Sequence, residues 1–456
     1  MIPLLILLLA APLHAADRDA ELKADTLAHT KALIALDTSN PPGNEIIAAR
    51  YIEGELKKDG IDSELYTSTG TRTSLVARLK GDGSKRPLLL MCHTDVVPAD
   101  PKGWTVPPFA AVEKDGYLYG RGAMDIKSLC AAQMAVLSYL KRSNIPLARD
   151  VIFFAEADEE SGATVRHIDS LLRDKPRLVD AELGINEGGV SLWKDGRVVE
   201  VHVEAAEKEY MDFTMTAKGK PGHSSVPTAD NAIARLARAI ARLSAHRFPV
   251  RLNPVSQGFL ERQAETSPSP VALAIRALLN APEGRKRDEA GDELAALSPE
   301  YGAMLRDTVT PTMLKAGYKS NVIPADASAT FNARMLPGRR AASLIADIHR
   351  IVDDSNIEFA FEPPTRKPVG PMPIDTPLYR AAVESAPGVR VMPYMAAWTT
   401  DSQDLRARGT IMYGIDAPGT EDDQRRAHGE DERVPLAALD WFALYLRDIV
   451  VKTAGK

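Results

Sequence analysis

The chain has 456 residues and a formal net charge of −6, with 45% hydrophobic and 26% charged residues, the balance of an ordinary globular protein. This length exceeds what one compact core usually supports, so two domains are expected. The acidic balance and the lack of a basic run exclude nucleic acid as a favoured partner.

An apolar run from Ile2 to Leu13 opens the chain and is followed by small residues and then by charge. A dozen residues are too few to span a bilayer, which takes roughly 20. The pattern predicts a signal peptide over residues 1–16, cut near Ala15 or Ala16, and export to the periplasm or out of the cell. The n-region has no Lys or Arg, so a buried or frayed N-terminal segment is the alternative. No later segment is apolar enough to span a membrane.

The first half of the chain predicts an α/β sheet with helices on both faces. Residues 17–58 have a helical pattern, broken at Pro41, Pro42 and Gly43. Continuous apolar strands are predicted at 86–93 and 150–158, with a helix at 128–143 between them.

The hydrophobic pattern of the sequence changes after about residue 203. Two alternating strands, at 209–219 and 327–338, flank an amphipathic helix at 230–248 and indicate a small α+β layer. Residues 251–315 are expected to be mostly helical and irregular, and the α/β style returns from about residue 340. We therefore predict a catalytic domain formed by residues 17–205 and 336–456, interrupted by an inserted domain at 206–335.

The two cysteines, Cys92 and Cys130, lie in a predicted strand and a predicted helix. An exported protein could join them in a disulfide. Because the chain has no C-x-x-C motif and both positions are apolar, we expect two separate buried thiols instead.

Acidic and histidine side chains recur at the ends of the apolar strands or on neighbouring turns. In open α/β sheets, ligands bind beyond the carboxyl ends of the strands. Each residue taken alone is typical of a turn, a helix cap or a solvated loop. Together they indicate one ligand-binding site. The set comprises His93, Asp95, Asp125, Glu159, Glu160, Glu187 and His428.

Two imidazoles with several carboxylates form a ligand set that zinc accepts, and without a thiolate cluster a closed structural site is disfavoured. The surplus of acids indicates two metals that share a bridging carboxylate. One residue of the Glu159–Glu160 pair would then remain free to accept a proton.

The chain resembles the M20 metallopeptidases over essentially its whole mature length. The motifs that carry the resemblance stand in the family's order and spacing: "HTDVVP", "GRGAMDIKS", "EADEESG", "NEGG", "GKPGHSSVP", "NVIPADASATFNARMLPG" and "HGEDERV". The resemblance implies a doubly wound α/β zinc-peptidase domain with an inserted α+β lid or dimerisation domain. The branch that it most resembles is that of carboxypeptidase S and the N-acyl-amino-acid amidases.

The resemblance also implies a role for each residue of the site. His93 and Glu187 would bind one zinc, Glu160 and His428 the other, and Asp125 would bridge both, with a cis peptide after it. Glu159 would be the general base, and Asp95 would orient His93. Glu187 departs from members that carry Asp there, although either acid can be a ligand. Cobalt or manganese would fit the same ligands.

Three residues of the inserted domain also match family positions. His223 would stabilise the oxyanion, in dimeric members from the partner subunit, while Asn321 and Arg334 would hold a substrate carboxylate. The alternative for each is an ordinary surface residue of the lid. A homodimer through this domain is therefore possible, as is a monomer.

The implied reaction is hydrolysis of an amide next to a free carboxylate, in a dipeptide, at a peptide C-terminus or in an N-acyl amino acid. A metal-bridging water would attack, with Glu159 as its base. An N-acyl amino acid synthase/hydrolase and a non-catalytic metal-dependent binding protein of the same fold are alternatives. A serine hydrolase is disfavoured because no G-x-S-x-G follows a strand.

Overall fold

The computed structural model describes residues 15–161, 166–364 and 366–456. The apolar run on which the signal-peptide prediction rests lies outside these residues, so that prediction stays a prediction. Within the described ranges, no helix combines the length and the apolar character that a membrane crossing requires.

The strands and helices occur along the chain in the order that the sequence predicts for its main elements. The strands are β1 (Ser63–Thr69), β2 (Arg72–Leu79), β3 (Leu88–His93), β4 (Val112–Lys114), β5 (Tyr117–Tyr119), β6 (Val151–Glu156), β7 (Leu183–Asn186), β8 (Val190–Lys194), β9 (Arg197–Glu207), β10 (Glu209–Lys218), β11 (Gly222–His223), β12 (Thr308–Ala316), β13 (Val322–Ile323), β14 (Asp326–Met335), β15 (Ile357–Glu362), β16 (Arg390–Ala396), β17 (Ile411–Gly414) and β18 (Arg433–Pro435). The helices are α1 (Ala15–Ala35), α2 (Ile46–Lys58), α3 (Lys127–Arg142), α4 (His167–Asp174), α5 (Ala232–Ala245), α6 (Pro254–Thr266), α7 (Ser269–Asn280), α8 (Arg285–Leu297), α9 (Pro299–Leu305), α10 (Ala341–Val352), α11 (Pro377–Glu384), α12 (Ser402–Arg406), α13 (Glu421–Arg425) and α14 (Leu436–Ala454).

A nine-stranded sheet forms the centre of the molecule, in the order β1-β2-β6-β3-β7-β17-β9-β16 with β8 added to β9. Its middle strands β6, β3, β7 and β17 run parallel to one another. Their carboxyl ends therefore meet at one edge of the sheet, which is where the predicted site residues follow them.

The two faces of this sheet are both covered, which explains why β3 is apolar at successive positions. Leu88 and Leu90 pack into a core with α1, α3 and α14, whereas Leu89 and Met91 pack into a second core with α4 and α12. Because side chains alternate along a strand, a strand covered on both sides needs apolar residues at every position. This is the fold class that the sequence predicts.

A smaller antiparallel sheet, in the order β12-β14-β10-β15, forms a second core. Met211, Phe213 and Met215 of β10 point inward with Phe331 of β14, and the Phe213 and Phe331 rings stack with centroids 5.0 Å apart. Helices α5 and α10 cover this face. The alternation of β10 thus buries one face and leaves the other polar.

The packing differs from the predicted segmentation in three respects. Helix α10 and strand β15, beyond the predicted bound at residue 335, pack with the small sheet. Helices α6–α9, within the predicted insert, contribute instead to the large core. Residues 308–316 form strand β12 rather than helix or irregular chain. The domain bounds themselves stay a prediction.

The expectation of two separate thiols is wrong, because Cys92 and Cys130 form a disulfide with their Cα atoms 5.2 Å apart. Both residues are completely buried where α3 packs on β3. The bond links the strand that ends at His93 to the helix that follows Asp125.

Candidate metal centre

Five of the seven residues predicted at the sheet edge line one cleft of about 1230 Å³, namely Asp125, Glu159, Glu160, Glu187 and His428. His93 is the last residue of β3 and is only 2% exposed. Glu159 and Glu160 begin a short 3₁₀ helix after β6, and Glu187 follows β7. The strand ends therefore converge as the parallel topology requires.

Asp125 lies between the two histidines of the site. Its Oδ1 atom is 3.1 Å from His93 Nε2, and its Oδ2 atom is 3.0 Å from His428 Nε2. The peptide bond after Asp125 is cis, as the resemblance implies. One carboxylate thus offers an oxygen to each imidazole.

The remaining carboxylates complete a group on either side of Asp125. Glu187 Oε1 is 3.7 Å from His93 Nε2, and Glu160 Oε1 is 3.0 Å from His428 Nε2. The ligand atoms of His93, Asp125 and Glu160 lie within 4.8 Å of one another, as do those of His93, Glu159 and Glu187. Nitrogen and oxygen donors in two overlapping groups fit a pair of divalent ions.

The carboxylates of the site would be stabilised by a bound cation. Burial raises the pKa of Glu159 and of Glu187 well above their ordinary values, and neighbouring carboxylates add to both shifts while His93 opposes them. Hydrogen bonds to Asp125 and Glu160 raise the pKa of His428 to about 10. The imidazoles thus gain protons that balance the carboxylates, which is the charge that a bound metal would supply.

Asp95 was expected to orient His93 through its carboxylate, but its carboxylate makes other hydrogen bonds. The Nδ1 atom of His93 hydrogen-bonds the backbone carbonyl of Asp95 at 3.0 Å, while the Asp95 carboxylate is 3.6 Å away. That carboxylate accepts the backbone N–H groups of Glu159 (3.2 Å) and Glu160 (2.9 Å) and the side-chain amide of Asn40 (2.8 Å). Asp95 therefore orients His93 through its main chain and holds the Glu159–Glu160 turn through its side chain.

Glu432 is a supporting residue that the sequence analysis missed. Its buried carboxylate accepts the backbone N–H groups of Gly122 (3.0 Å), Met124 (2.8 Å) and Asp125 (3.0 Å) and pairs with Arg121 at 2.6 Å. It thereby fixes the turn that presents Asp125. The sequence could have indicated Glu432, because this residue belongs to the motif "HGEDERV".

Asp416 was also missed, although it lies two residues beyond β17, as Glu187 lies directly beyond β7. Its Oδ2 atom accepts the backbone N–H of Gly188 at 3.0 Å, and its carboxylate lines the cleft. The neighbouring Gly414 must be glycine, because a Cβ there would lie 2.4 Å from the carbonyl oxygen of Glu187. The close approach of β17 thus brings Asp416 beside the Glu187 turn.

The three predicted lid residues separate into two groups. Arg334 lines the cleft from the small sheet, with its guanidinium 5.4 Å from the Tyr210 ring centroid and its Nε donating to Asn332 at 2.9 Å. His223 and Asn321 are exposed on the β11–β13 ribbon, and neither is among the described residues that line the cleft. Of these three residues, only Arg334 lines the cleft within one chain.

Comparison with known proteins relates most of the chain to a peptidase family. Residues 89–452 match "Peptidase family M20/M25/M40". The human N-fatty-acyl-amino acid synthase/hydrolase PM20D1 is 29% identical over 89% of this chain and 79% of its own, and carboxypeptidase S of Saccharomyces cerevisiae is 28% identical over 61% and 49%.

Solved structures share the fold. The M20 family metallo-carboxypeptidase Sso-CP2 from Sulfolobus solfataricus aligns with a TM-score of 0.69 at 20% identity, over 94% of this chain and 99% of that one. Human carnosine dipeptidase 1 aligns with a TM-score of 0.68 at 16% identity, over 97% and 99%. The chain therefore belongs to peptidase family M20/M25/M40 and is a metal-dependent hydrolase of amide bonds.

Proposed function

We propose that this protein is a di-zinc hydrolase that cleaves an amide bond next to a free carboxylate. The observation that carries the proposal is the position of Asp125, with one carboxylate oxygen about 3 Å from each of two imidazoles. His93 and Glu187 would hold one ion and Glu160 and His428 the other, with Asp125 between them. Bound divalent ions would lower the pKa of a water and polarise the scissile carbonyl.

Glu159 is the proposed general base. It lines the cleft, and its backbone is held by Asp95. Its carboxylate groups with His93 and Glu187, while the adjacent Glu160 is directed to His428. From this position Glu159 would take a proton from the attacking water and deliver it to the leaving amine.

Arg334 is the proposed partner of the substrate carboxylate. The other two arginines of the cleft are occupied, since Arg166 pairs with Asp404 at 2.9 Å and Arg366 pairs with Glu209 at 2.7 Å. Among the described residues, no carboxylate lies within the ion-pair distance of 4.0 Å from Arg334. A planar guanidinium that is free to bind matches a carboxylate in two hydrogen bonds.

The proposal is tested with metal-analysed protein against dipeptides and N-acyl amino acids, with and without a chelator. We expect two divalent ions per chain, release of the C-terminal amino acid, and loss of this activity on chelation with recovery after zinc, cobalt or manganese is added. Activity that survives complete metal removal would refute the proposal.

Synthesis of N-acyl amino acids is a second candidate, favoured by the similarity of most of this chain to the human N-fatty-acyl-amino acid synthase/hydrolase. The same residues would then catalyse condensation of a fatty acid with an amino acid. Product analysis at high fatty acid concentration tests this candidate, because an enzyme that acts on N-fatty-acyl amino acids accumulates the conjugate there, whereas an enzyme confined to dipeptides does not.

Dimerisation through the small sheet is proposed from an apolar surface around the β12 edge. Val226, Met313, Leu314 and Tyr318 are each at least 68% exposed, and β12 is an edge strand. Burial of such a patch is favourable, and a second copy would cover it and carry its own His223 to this region. Light scattering should give the mass of two chains, and Leu314→Lys should give a monomer. A wild-type monomer at micromolar concentration would contradict this.

Export is proposed from the apolar run at residues 2–13 together with the disulfide. Disulfides persist mainly in oxidising compartments. N-terminal sequencing of the mature protein tests this, with a start near Ala16 or Asp17 expected and retention of Met1 refuting it.

A further inference from the structure

Trp398 is an exposed aromatic residue of the cleft to which the proposed mechanism gives no role. It lies in the loop between β16 and α12, lines the cleft and is 41% exposed. Of the exposed large hydrophobic side chains among the described residues, only Trp398 and Tyr210 line the cleft. The Tyr210 ring already lies beside the Arg334 guanidinium. The Trp398 ring is therefore the aromatic surface that a molecule in the cleft can reach.

One end of the Trp398 loop is fixed at the start of the small sheet. The carbonyl of Ala396 accepts the backbone N–H of Lys208 at 3.1 Å, and the hydroxyl of Thr399 donates to the Lys208 carbonyl. Two residues later along the chain, Tyr210 is paired with Arg334 across β10 and β14. This end of the loop therefore lies near the residue that is proposed to bind the substrate carboxylate.

The other end of the loop lies next to the metal centre. A Cβ atom built on Gly188 would be 3.6 Å from the methyl group of Thr400, and Gly188 directly follows the proposed metal ligand Glu187. Trp398 stands two residues before Thr400. The loop thus extends from the Glu187 turn to the strand end that carries Arg334, and Trp398 lies between these two points.

The amino acid that leaves in the proposed reaction spans the same interval. Its nitrogen belongs to the scissile amide at the metal centre, and its carboxylate would be bound by Arg334. Its side chain is then the part of the substrate that faces Trp398. Contact between an indole ring and an apolar side chain removes apolar surface of both from water. A polar side chain would lose water there without gaining a hydrogen bond from the ring face.

Two acids of the small sheet, Asp212 and Glu362, also line the cleft and would attract a basic side chain. They are cross-strand partners, and Asp212 accepts the side-chain amide of Asn332 at 2.5 Å. Along β10, Asp212 lies two residues beyond Tyr210, in the direction away from the Trp398 loop. A basic side chain would extend away from Trp398 to reach these acids, so the two kinds of substrate are distinguishable.

We propose that Trp398 is a specificity-determining residue that binds the side chain of the leaving amino acid and thereby selects substrates whose carboxyl-terminal residue is large and apolar. This inference rests on the proposed function, because it names the substrate class of the same site. It concerns the amino acid that carries the free carboxylate, so it applies equally to dipeptides and to N-acyl amino acids.

The test measures release of phenylalanine, alanine and lysine from their glycyl and Nα-acetyl derivatives by the metal-loaded protein. We expect phenylalanine to be favoured over alanine and over lysine by about 10-fold or more in kcat/KM, the scale of discrimination by hydrophobic contacts. In Trp398→Ala the preference for phenylalanine over alanine should fall to within about 3-fold, with the metal content unchanged. Trp398→Phe, which keeps an aromatic ring, should retain most of the preference.

Leu273→Ala is the matched control, because it removes an exposed apolar side chain of α7 that lies outside the cleft. This variant should keep the wild-type preference. Should Trp398→Ala fail to fold, Trp398→Gln takes its place, since it keeps a long side chain but loses the ring, and the same loss of preference is expected.

The outcomes separate this inference from the proposed function. Chelator-sensitive release of alanine or lysine by the wild-type protein at a kcat/KM similar to that of phenylalanine refutes the role of Trp398 but leaves the hydrolase intact. An unchanged preference in the Trp398 variants without a ring refutes it as well. No release from any of the substrates by protein with two metals bound refutes the proposed function instead.

Discussion

Glu159→Gln should lower kcat by roughly 10²–10⁴-fold, the usual contribution of a general base, while the protein keeps its metal. Glutamine preserves the size of the side chain and the backbone N–H that Asp95 accepts at 3.2 Å. It cannot accept a proton from water at neutral pH. Steady-state kinetics and metal analysis of the purified variant measure the two effects separately.

Glu384→Gln is the matched control, because Glu384 is an exposed residue of α11 that lies outside the cleft. This variant should retain wild-type kinetics. A near-wild-type kcat in Glu159→Gln would contradict the proposed role of Glu159 as the general base. Loss of one metal from the variant would instead indicate that Glu159 is a metal ligand. Its position near His93 and Glu187 is compatible with that role.

Asp125→Ala is expected to deplete the protein of metal and to reduce kcat/KM beyond the 10–100-fold that loss of an outer partner typically costs. Asp125 alone among the carboxylates of the site has an oxygen near each imidazole. Its removal therefore withdraws a ligand from both ions at once. Elemental analysis after dialysis against metal-free buffer gives the metal content.

Asp62→Ala is the control for the substitution itself, since Asp62 is exposed. Circular dichroism should show that both variants keep their secondary structure, because Asp125 lies in a turn between packed elements. If Asp125→Ala retains two ions per chain with unchanged affinity, Asp125 is not the bridging ligand.

The position of the site was predictable because it follows from strand topology. His93, Glu160 and Glu187 each lie at or just after the carboxyl end of an apolar strand, and these strands are parallel neighbours. A continuous apolar run predicts such a strand without further information. Asp416, two residues beyond β17, obeys the same rule.

Other features depend on contacts that a sequence does not display. Strand β12 contains Pro311 and has an exposed side chain at most positions, so no alternation marks it; pairing with β14 alone makes it a strand. Cys92 and Cys130 are 38 residues apart, and only the packing of α3 on β3 joins them. Asp95 lies beyond the end of β3, and its carboxylate accepts the backbone N–H groups of Glu159 and Glu160, contacts that the sequence does not display.

The lid residues illustrate a different limit. Arg334 lies on β14, paired with Tyr210 of β10, and strand alternation carries it to the polar face of the small sheet. His223 is exposed on a short ribbon and is not among the described residues that line the cleft of its own chain. A motif can therefore indicate a residue without indicating where the fold places it relative to the cleft.

One guanidinium group joins one end of the small sheet to α12. Arg366, after β15, makes a bidentate pair with Glu209 at the start of β10, with distances of 2.7 and 3.0 Å, and also contacts Asp404 at 3.1 Å. The largely buried pair would be costly to break. Rotation of the small sheet would therefore pivot about Arg366. Arg334 lies one residue from the end of β14 that borders Glu209, so it would travel little, while the far ends of the strands would sweep the widest arc.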